Sequence, residues 1–236
     1  MTDHTVTAYD EELTALKSRI AEMGGLAETI VTNSVTALVS QDLGLAQSMI
    51  DHDIRLDELQ QDVEIKIVEI IARRQPMGSD LREIMAAGRI ANDLERVGDL
   101  AKNVSKRVIA IDNDLQSKKL SIGVEHIAEL ALAQLKEVLD AYTKRDAATA
   151  SHVRERDSEV DAIYTSLFRE LLTYMMEDPR NITQCAHLLF CAKNLERIGD
   201  HATNIAENVY WMTTGERLED ERPKVDETGV TDKENA

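Results

Sequence analysis

Leu94-Glu95-Arg96-Val97-Gly98-Asp99 recurs 101 residues later as Leu195-Glu196-Arg197-Ile198-Gly199-Asp200. The likeness runs on, with Ala101, Asn103 and Val104 answering to Ala202, Asn204 and Ile205. Upstream, Asp53 and Asp57 answer to Asp157 and Asp161, and Asp42 to Asp146, at an offset of 104. A small difference in loop length around Pro76 and Pro179 accounts for the drift. Self-similarity at this period means that one unit of roughly 100 residues is used twice.

Each unit reads as three helices. Leu13, Leu16, Ile20, Met23, Ala27, Ile30, Val31, Ser34 and Leu38 follow one another at spacings of three and four, an apolar stripe along a helix. After a turn at Ser40-Gln41-Asp42, Asp42 is suited to cap a second helix reaching about Arg74, with Met49, Leu56, Val63, Ile67 and Ile70 as its stripe. Pro76-Met77-Gly78-Ser79 breaks the pattern, and Ser79 is the expected cap of a third helix ending near Ile111. The second unit repeats the order. Asp146 caps its second helix, which carries Val153, Val160, Tyr164, Leu167, Leu171 and Tyr174, and Asp178-Pro179 reads as a cap followed by proline at the first helical position. Gly24-Gly25 allows close helix packing. The expected architecture is all-α: two tandem three-helix bundles, residues 8–112 and 119–214, joined through 112–120. An acidic tail at 215–236 has no apolar period and is expected to be disordered.

Composition narrows the function. Hydrophobic residues make up 43% of the 236 and aromatics only 3%, so aliphatic side chains must do the packing. The net charge of −17 repels phosphate backbones and anionic lipid heads, so nucleic acid and acidic membranes are excluded as direct partners. No run of about 20 apolar residues spans a bilayer, and the amino-terminal stretch lacks the basic and apolar parts of a secretory signal. These features imply a cytoplasmic protein. Cys185 and Cys191, about 9 Å apart in helical rise and facing different sides, cannot bridge and read as buried apolar residues.

The chemistry lies in carboxylate stripes. Glu95, Asp99 and Asn103 stand at i, i+4 and i+8, as do Glu196, Asp200 and Asn204, so each helix is expected to carry two carboxylates and an amide along one face. A single pair of this kind is a solvated face. The same like-charge penalty in both units calls for a compensating cause, and the mid-helix glycines Gly98 and Gly199 clear space for a neighbouring helix or an ion. Asp53/Asp57 and Asp157/Asp161 are a second pair of stripes, near the inward seam, where simple salt bridging to Arg55 and Arg156 is the default reading. Clustered carboxylates without histidine or thiolate suit hard cations. A di-iron oxidase would want Glu-x-x-His, but Gly98 and Gly199 stand at those places, and His201 points about 100° away from Asp200. Phosphate-binding and nucleophile-elbow motifs are missing. Arg89, Asp93 and Arg96 read as an ion-pair ladder along one face.

The repeated L-E-R-[VI]-G-D segments, with Met23-Gly24-Gly25, the stretch ARRQPMGSDLR at 72–82 and the stretch TYMMEDPRNI at 173–182, resemble the PhoU family of phosphate-specific transport system accessory proteins. The resemblance spans about residues 10–213. It implies a cytoplasmic, non-enzymatic homodimer that restrains phosphate uptake. It would do so by linking the ATPase subunit of a phosphate ABC transporter to a sensor histidine kinase of a two-component system. It also implies metal at the E-x-x-x-D stripes (iron, manganese, magnesium or zinc, hard cations favoured), with Glu95, Asp99, Glu196 and Asp200 as ligands. The helix-face reading adds Asp53, Asp57, Asn103, Asp157, Asp161 and Asn204 as further ligands or supporting groups. A carboxylate-bridged metal enzyme and a metal-free helical scaffold are the competing readings.

Overall fold

A computed structural model describes residues 2–111 and 121–218, with side chains from residue 7 onward. The described residues form seven α-helices: α1 (Thr2–Ser40), α2 (Leu43–Arg74), α3 (Gly78–Ile111), α4 (Ile122–Lys144), α5 (Ala147–Glu155), α6 (Asp157–Glu177) and α7 (Ile182–Thr214). A 3₁₀ turn, Pro179–Asn181, leads into α7. No strand occurs among them. The fold is the expected pair of tandem three-helix bundles. The joining segment 112–120 and tail residues 219–236 lie outside the described residues.

Side-chain period decides the packing. Leu16, Ile20, Met23, Ala27, Ile30, Val31 and Leu38 line the buried face of α1, and Met49, Leu56, Val63 and Ile70 that of α2. α1, α2 and α3 pack on one another, and α4 packs with α5, α6 and α7. The halves meet where α3 lies along α7 and α1 against α4. At the second contact Gly24 allows close approach: a Cβ there would sit 2.8 Å from Leu139 Cδ1, so the Leu139 side chain would have to shift. Gly25 faces open space. Cys185 and Cys191 are buried and unbridged, and burial pushes the Cys191 thiol up to about 12.

Helix ends follow local chemistry. Asp42 accepts from the Leu45 amide at 2.9 Å, Asp146 from those of Ala148 and Thr149, and Asp178 from that of Arg180, each relieving an orphan donor of a first turn. Ser79 does not cap α3. The helix starts one residue earlier, at Gly78 with φ +60°, and Ser79 lies within its first turn.

The helix expected to run through 147–177 is two. Arg156 interrupts it between α5 and α6, and its carbonyl accepts from Gln134 Nε2 of α4 at 3.0 Å. A side chain inserted into the backbone ladder is an ordinary cause of a helix break. The carbonyl is also reached by the Glu159 amide three residues on, a tightened turn.

Two charged contacts tie the helices of the first half together, and one of them also reaches the second half. Glu12 of α1 receives Arg74 Nε at 2.8 Å and Arg73 Nη1 at 3.0 Å from the end of α2. Glu83 of α3, 4% exposed, receives Lys17 Nζ of α1 at 2.8 Å and the Arg145 guanidinium, which follows α4 in the second half.

The hydrogen bond from Arg74, opposed by partial burial and reinforced by Arg73, holds the Glu12 carboxyl below its ordinary value. A carboxylate depressed on folding adds stability above its unfolded pKa and loses it as pH falls through the depressed value. Glu12→Gln is therefore expected to cost about 1 kcal/mol or less at neutral pH, with the difference from the parent vanishing in acid, as read by urea unfolding across pH. The glycines give a second test. Gly25→Ala is expected to stabilise by roughly 0.5–1 kcal/mol through helix propensity. Gly98→Ala is expected to destabilise by about 1–3 kcal/mol, because its Cβ would collide with the fully buried Leu56 and lie 2.9 Å from Asp53 Oδ1.

Candidate functional site: two carboxylate clusters

In the first half, α2 supplies Asp53 and Asp57 and α3 supplies Glu95 and Asp99. Asp53 is 1% exposed and rests against α3 at the gap left by Gly98. Lys102 lies between the helices. Its ammonium donates to Asp53 Oδ2, and to Asp99 Oδ1 at 2.5 Å. Burial opposes its charge, but the hydrogen bonds to the two aspartates prevail and hold its pKa above the ordinary lysine value. Arg96 adds weaker contacts, 3.5 Å to Glu95 and 3.7 Å to Asp99. Partial burial raises the Glu95 carboxyl, and Asp99, Asp57 and Asp53 raise it further against the pull of Arg96. Burial likewise raises Asp57, with Asp53 and Asp99 adding to it against Lys102. The four carboxylates thus share one electrostatic neighbourhood.

The second half rebuilds this with different detail. The break at Arg156 places Asp157 in the first turn of α6 and Asp161 one turn on, facing Glu196, Asp200 and Thr203 of α7. Thr203, the repeat mate of Lys102, donates its hydroxyl to Asp157 Oδ1 at 2.9 Å. Glu196, 5% exposed, accepts from Lys193 at 2.8 Å. Burial raises its carboxyl, with Asp200 and Asp161 adding to this against Lys193.

Several sequence readings are corrected. Asn103 and Asn204 turn toward the α3–α7 seam. Eight residues advance a helix by about 800°, some 80° beyond two turns, so Asn103 opens onto a pocket with Phe190 and Asn194, and Asn204 donates to Asp93 at 3.3 Å. The expected arginine partners are engaged elsewhere: Arg55 with Glu22 and Glu58, Arg156 with Glu137 and Glu159. The Arg89–Asp93–Arg96 ladder does not form. Arg89 stacks over Trp211 at 4.8 Å, Asp93 meets His201 Nδ1 at 2.9 Å, and Arg96 turns to the carboxylates. His201 faces away from Asp200, as its helical angle requires. Sequence reasoning passed over Lys102, Lys193 and Thr203. The signal was there: Lys102 stands three residues after Asp99, Lys193 three before Glu196, and Lys102 and Thr203 are the repeat pair that differs between the halves.

The donor chemistry suits a hard cation, since every carboxylate offers oxygen only. Two buried oxygens, Asp53 Oδ1 and Glu196 Oε2, also have no hydrogen bond among the described residues, although a buried acceptor ordinarily has one. Yet no group of three His, Cys, Asp or Glu side chains among these residues is arranged to hold a metal ion. The ligand types fit. The side chains would have to regroup, and in the first half Lys102 would have to leave Asp53 and Asp99.

The PhoU domain model matches residues 20–108 and again 124–209, one match per bundle. The chain belongs to the PhoU family. The PhoU homolog of Rhizobium meliloti, named a phosphate-specific transport system accessory protein, is 63% identical over 227 residues, 96% of each chain. The Caulobacter vibrioides homolog of the same name is 50% identical over 96% of this chain and 98% of its own. Among solved structures, the crystal structure of PhoU from Pseudomonas aeruginosa superposes with a TM-score of 0.85 at 39% identity, covering 88% of this chain and all of that one. The phosphate transport system regulatory protein PhoU from Streptococcus pneumoniae gives 0.82 at 26% identity, over 89% of this chain and 99% of its own.

The Lys102 bridge makes a direct prediction for this PhoU protein. Lys102→Met strands the buried Asp53 carboxylate, and losing one partner of a buried pair is expected to cost about 3 kcal/mol. Adding Asp53→Asn should recover most of the loss, measured as urea midpoints of the two variants and the parent.

Proposed function

We propose that this protein restrains phosphate uptake as a cytoplasmic adaptor, linking the ATPase subunit of a phosphate ABC transporter to a sensor histidine kinase. Family membership makes it an accessory protein of phosphate transport, with a regulatory rather than enzymatic role. No helix of the described residues is long and apolar enough to cross a membrane, which accords with an adaptor that meets membrane partners from one side.

In this reading the carboxylate clusters are cation sites that shape the docking faces. The observation carrying it is the recurrence of a four-carboxylate cluster in both halves, each with a buried oxygen lacking a hydrogen bond: Asp53 Oδ1 in the first, Glu196 Oε2 in the second. Glu95, Asp99, Asp53 and Asp57 would hold the ion in one half, and Glu196, Asp200, Asp157 and Asp161 in the other. A bound cation would supply the positive charge that offsets repulsion within each cluster. In the second half Lys193 already pairs with Glu196, and in the first Lys102 bridges Asp53 and Asp99. Lys102 supports a second reading, in which the first cluster is satisfied without metal.

Self-association is part of the proposal. Ile54, Ile65 and Val68 on α2 are 59–67% exposed, and their spacing keeps them within about 60° of one another around the helix. This is an apolar stripe available to a partner or a second copy.

Replacing Glu95, Asp99, Glu196 and Asp200 together by Ala is expected to remove iron, manganese or a similar hard cation from protein purified without chelator, read by elemental analysis. Uptake genes should be derepressed in phosphate-replete cells. Full repression by the metal-free variant would end the role of metal in signalling while leaving the adaptor role standing.

A further inference from the structure

α3 and α7 run antiparallel: Arg89 meets Trp211, Asp93 meets His201, and Arg107 meets Phe190. As numbers rise along one helix they fall along the other. With the repeat offset of 101, this seam has a pseudo-twofold, and a pocket lies toward each end. One, of about 920 Å³, is lined by Arg89 and Asp93 of α3, Asn204, Glu207 and Asn208 of α7, and Glu64 of α2, among others. The other, of about 440 Å³, is lined by Asn103, Lys106, Arg107, Phe190 and Asn194. These are repeat mates: Asn103 of Asn204, Lys106 of Glu207, Arg107 of Asn208, Phe190 of Arg89 and Asn194 of Asp93.

The chemistry differs between them. The first pocket carries three carboxylates, Glu64, Asp93 and Glu207, beside two arginines, Arg89 and Arg217. The second has none and carries two cations, in a chain with 44 acidic against 27 basic residues. Lys106 and Arg107 pair with no carboxylate among the described residues. The Arg107 guanidinium stacks over the Phe190 ring at 4.5 Å, which holds it in place while leaving its in-plane N–H donors to be used. Phe190 is 55% exposed. Asn194 spends one amide N–H on the Phe190 carbonyl at 2.7 Å and keeps another, and Asn103 adds a second amide. The positive field reaches the neighbouring α7 turn, where burial and then Arg107 push His187 below its ordinary value.

We propose that this pocket between α3 and α7 binds a small phosphorylated anion, either inorganic phosphate or the phosphate of a nucleotide. Arg107 and Lys106 supply charge-assisted donors to the phosphoryl oxygens, and Asn103 and Asn194 supply neutral ones. The open part of the Phe190 ring offers a stacking surface to a base, if there is one. The site spans α3 of one bundle and α7 of the other, so its occupant would bear on how the halves are held together. The inference is independent of the carboxylate clusters, which lie on other faces of the same helices.

The test is isothermal titration of the full chain with inorganic phosphate, ADP and adenosine, each at up to millimolar concentration, in buffer with chelator so that cation sites stay empty. Saturable binding of phosphate or ADP is expected, weakened about tenfold or more in Lys106→Gln and Arg107→Gln and unchanged in Glu207→Gln at the mate pocket. Phosphate binding that Phe190→Leu leaves intact assigns the site to the free anion. Binding of ADP alone, lost in Phe190→Leu, assigns it to a nucleotide. Adenosine binding as tight as ADP would overturn the proposal, as would no binding of either anion, or binding that survives Lys106→Gln and Arg107→Gln. Anion binding seen only with added divalent cation would belong to the carboxylate clusters and would also overturn it. So would an acidic peptide that binds the patch while phosphate and ADP do not. Circular dichroism of each variant, all altered at exposed or half-buried side chains, checks that the fold is kept.

Discussion

The close antiparallel packing of α3 on α7 is the constraint on which the other features rest. Each helix is buried on one side by its own bundle and on another by the opposite half, so each needs small residues on more than one face. Ala86, Ala87, Ala91 and Ala101 on α3 and Ala192, Ala202 and Ala206 on α7 are all fully buried. Small side chains let helix axes approach and give up apolar area per residue in exchange for length of contact. A helix packed in this way has few directions left for polar groups. In this protein they are the groove toward the second helix of each bundle, where the carboxylates gather, and the two ends of the seam, where the pockets lie.

That geometry explains why the carboxylates are tolerable. Asp53 reaches a buried position only because Gly98 leaves room, and it is charge-balanced only because Lys102 lies one turn further along the same helix. The second bundle reaches a comparable cluster through a broken helix. Gln134 of α4 takes the Arg156 carbonyl, α6 restarts at Asp157, and the Thr203 hydroxyl replaces the lysine. The two halves therefore share a backbone plan and a carboxylate count but differ in how positive charge is supplied. In the first the charge is bridging and comes from α3. In the second the Glu196 partner Lys193 sits one turn earlier on α7, and the place of the bridging lysine is uncharged.

Much of this was legible in the sequence. Apolar spacing of three and four placed the helices, and aspartate at three helix starts marked their ends, because both signals are local. The repeat made the carboxylates stand out, and their α2 and α6 partners followed from the same offset. What failed was set by distance in space. The break at Arg156 depends on an amide arriving from α4, 22 residues earlier. The Arg89–Asp93–Arg96 ladder was undone by Trp211 and His201, more than a hundred residues away. Asn103 and Asn204 were misplaced for a simpler reason: a spacing of eight is close to a helical repeat without being one, and the 80° remainder turns each amide from the carboxylate groove toward the seam.

That same remainder gives the two halves their different surfaces. Positions 103, 106 and 107 on α3 and 204, 207 and 208 on α7 look onto the seam pockets and are exposed or half-buried. The core positions are held in common by the demand for small residues: Ala101 answers to Ala202, Val104 to Ile205 and Val108 to Val209. At the pocket positions, lysine faces glutamate, arginine faces asparagine, and aspartate faces asparagine across the pseudo-twofold. Packing constrains the scaffold to stay symmetric while leaving its pockets free to differ in charge. Two bundles of one design thereby present a mixed-charge recess and a cationic one on a single seam.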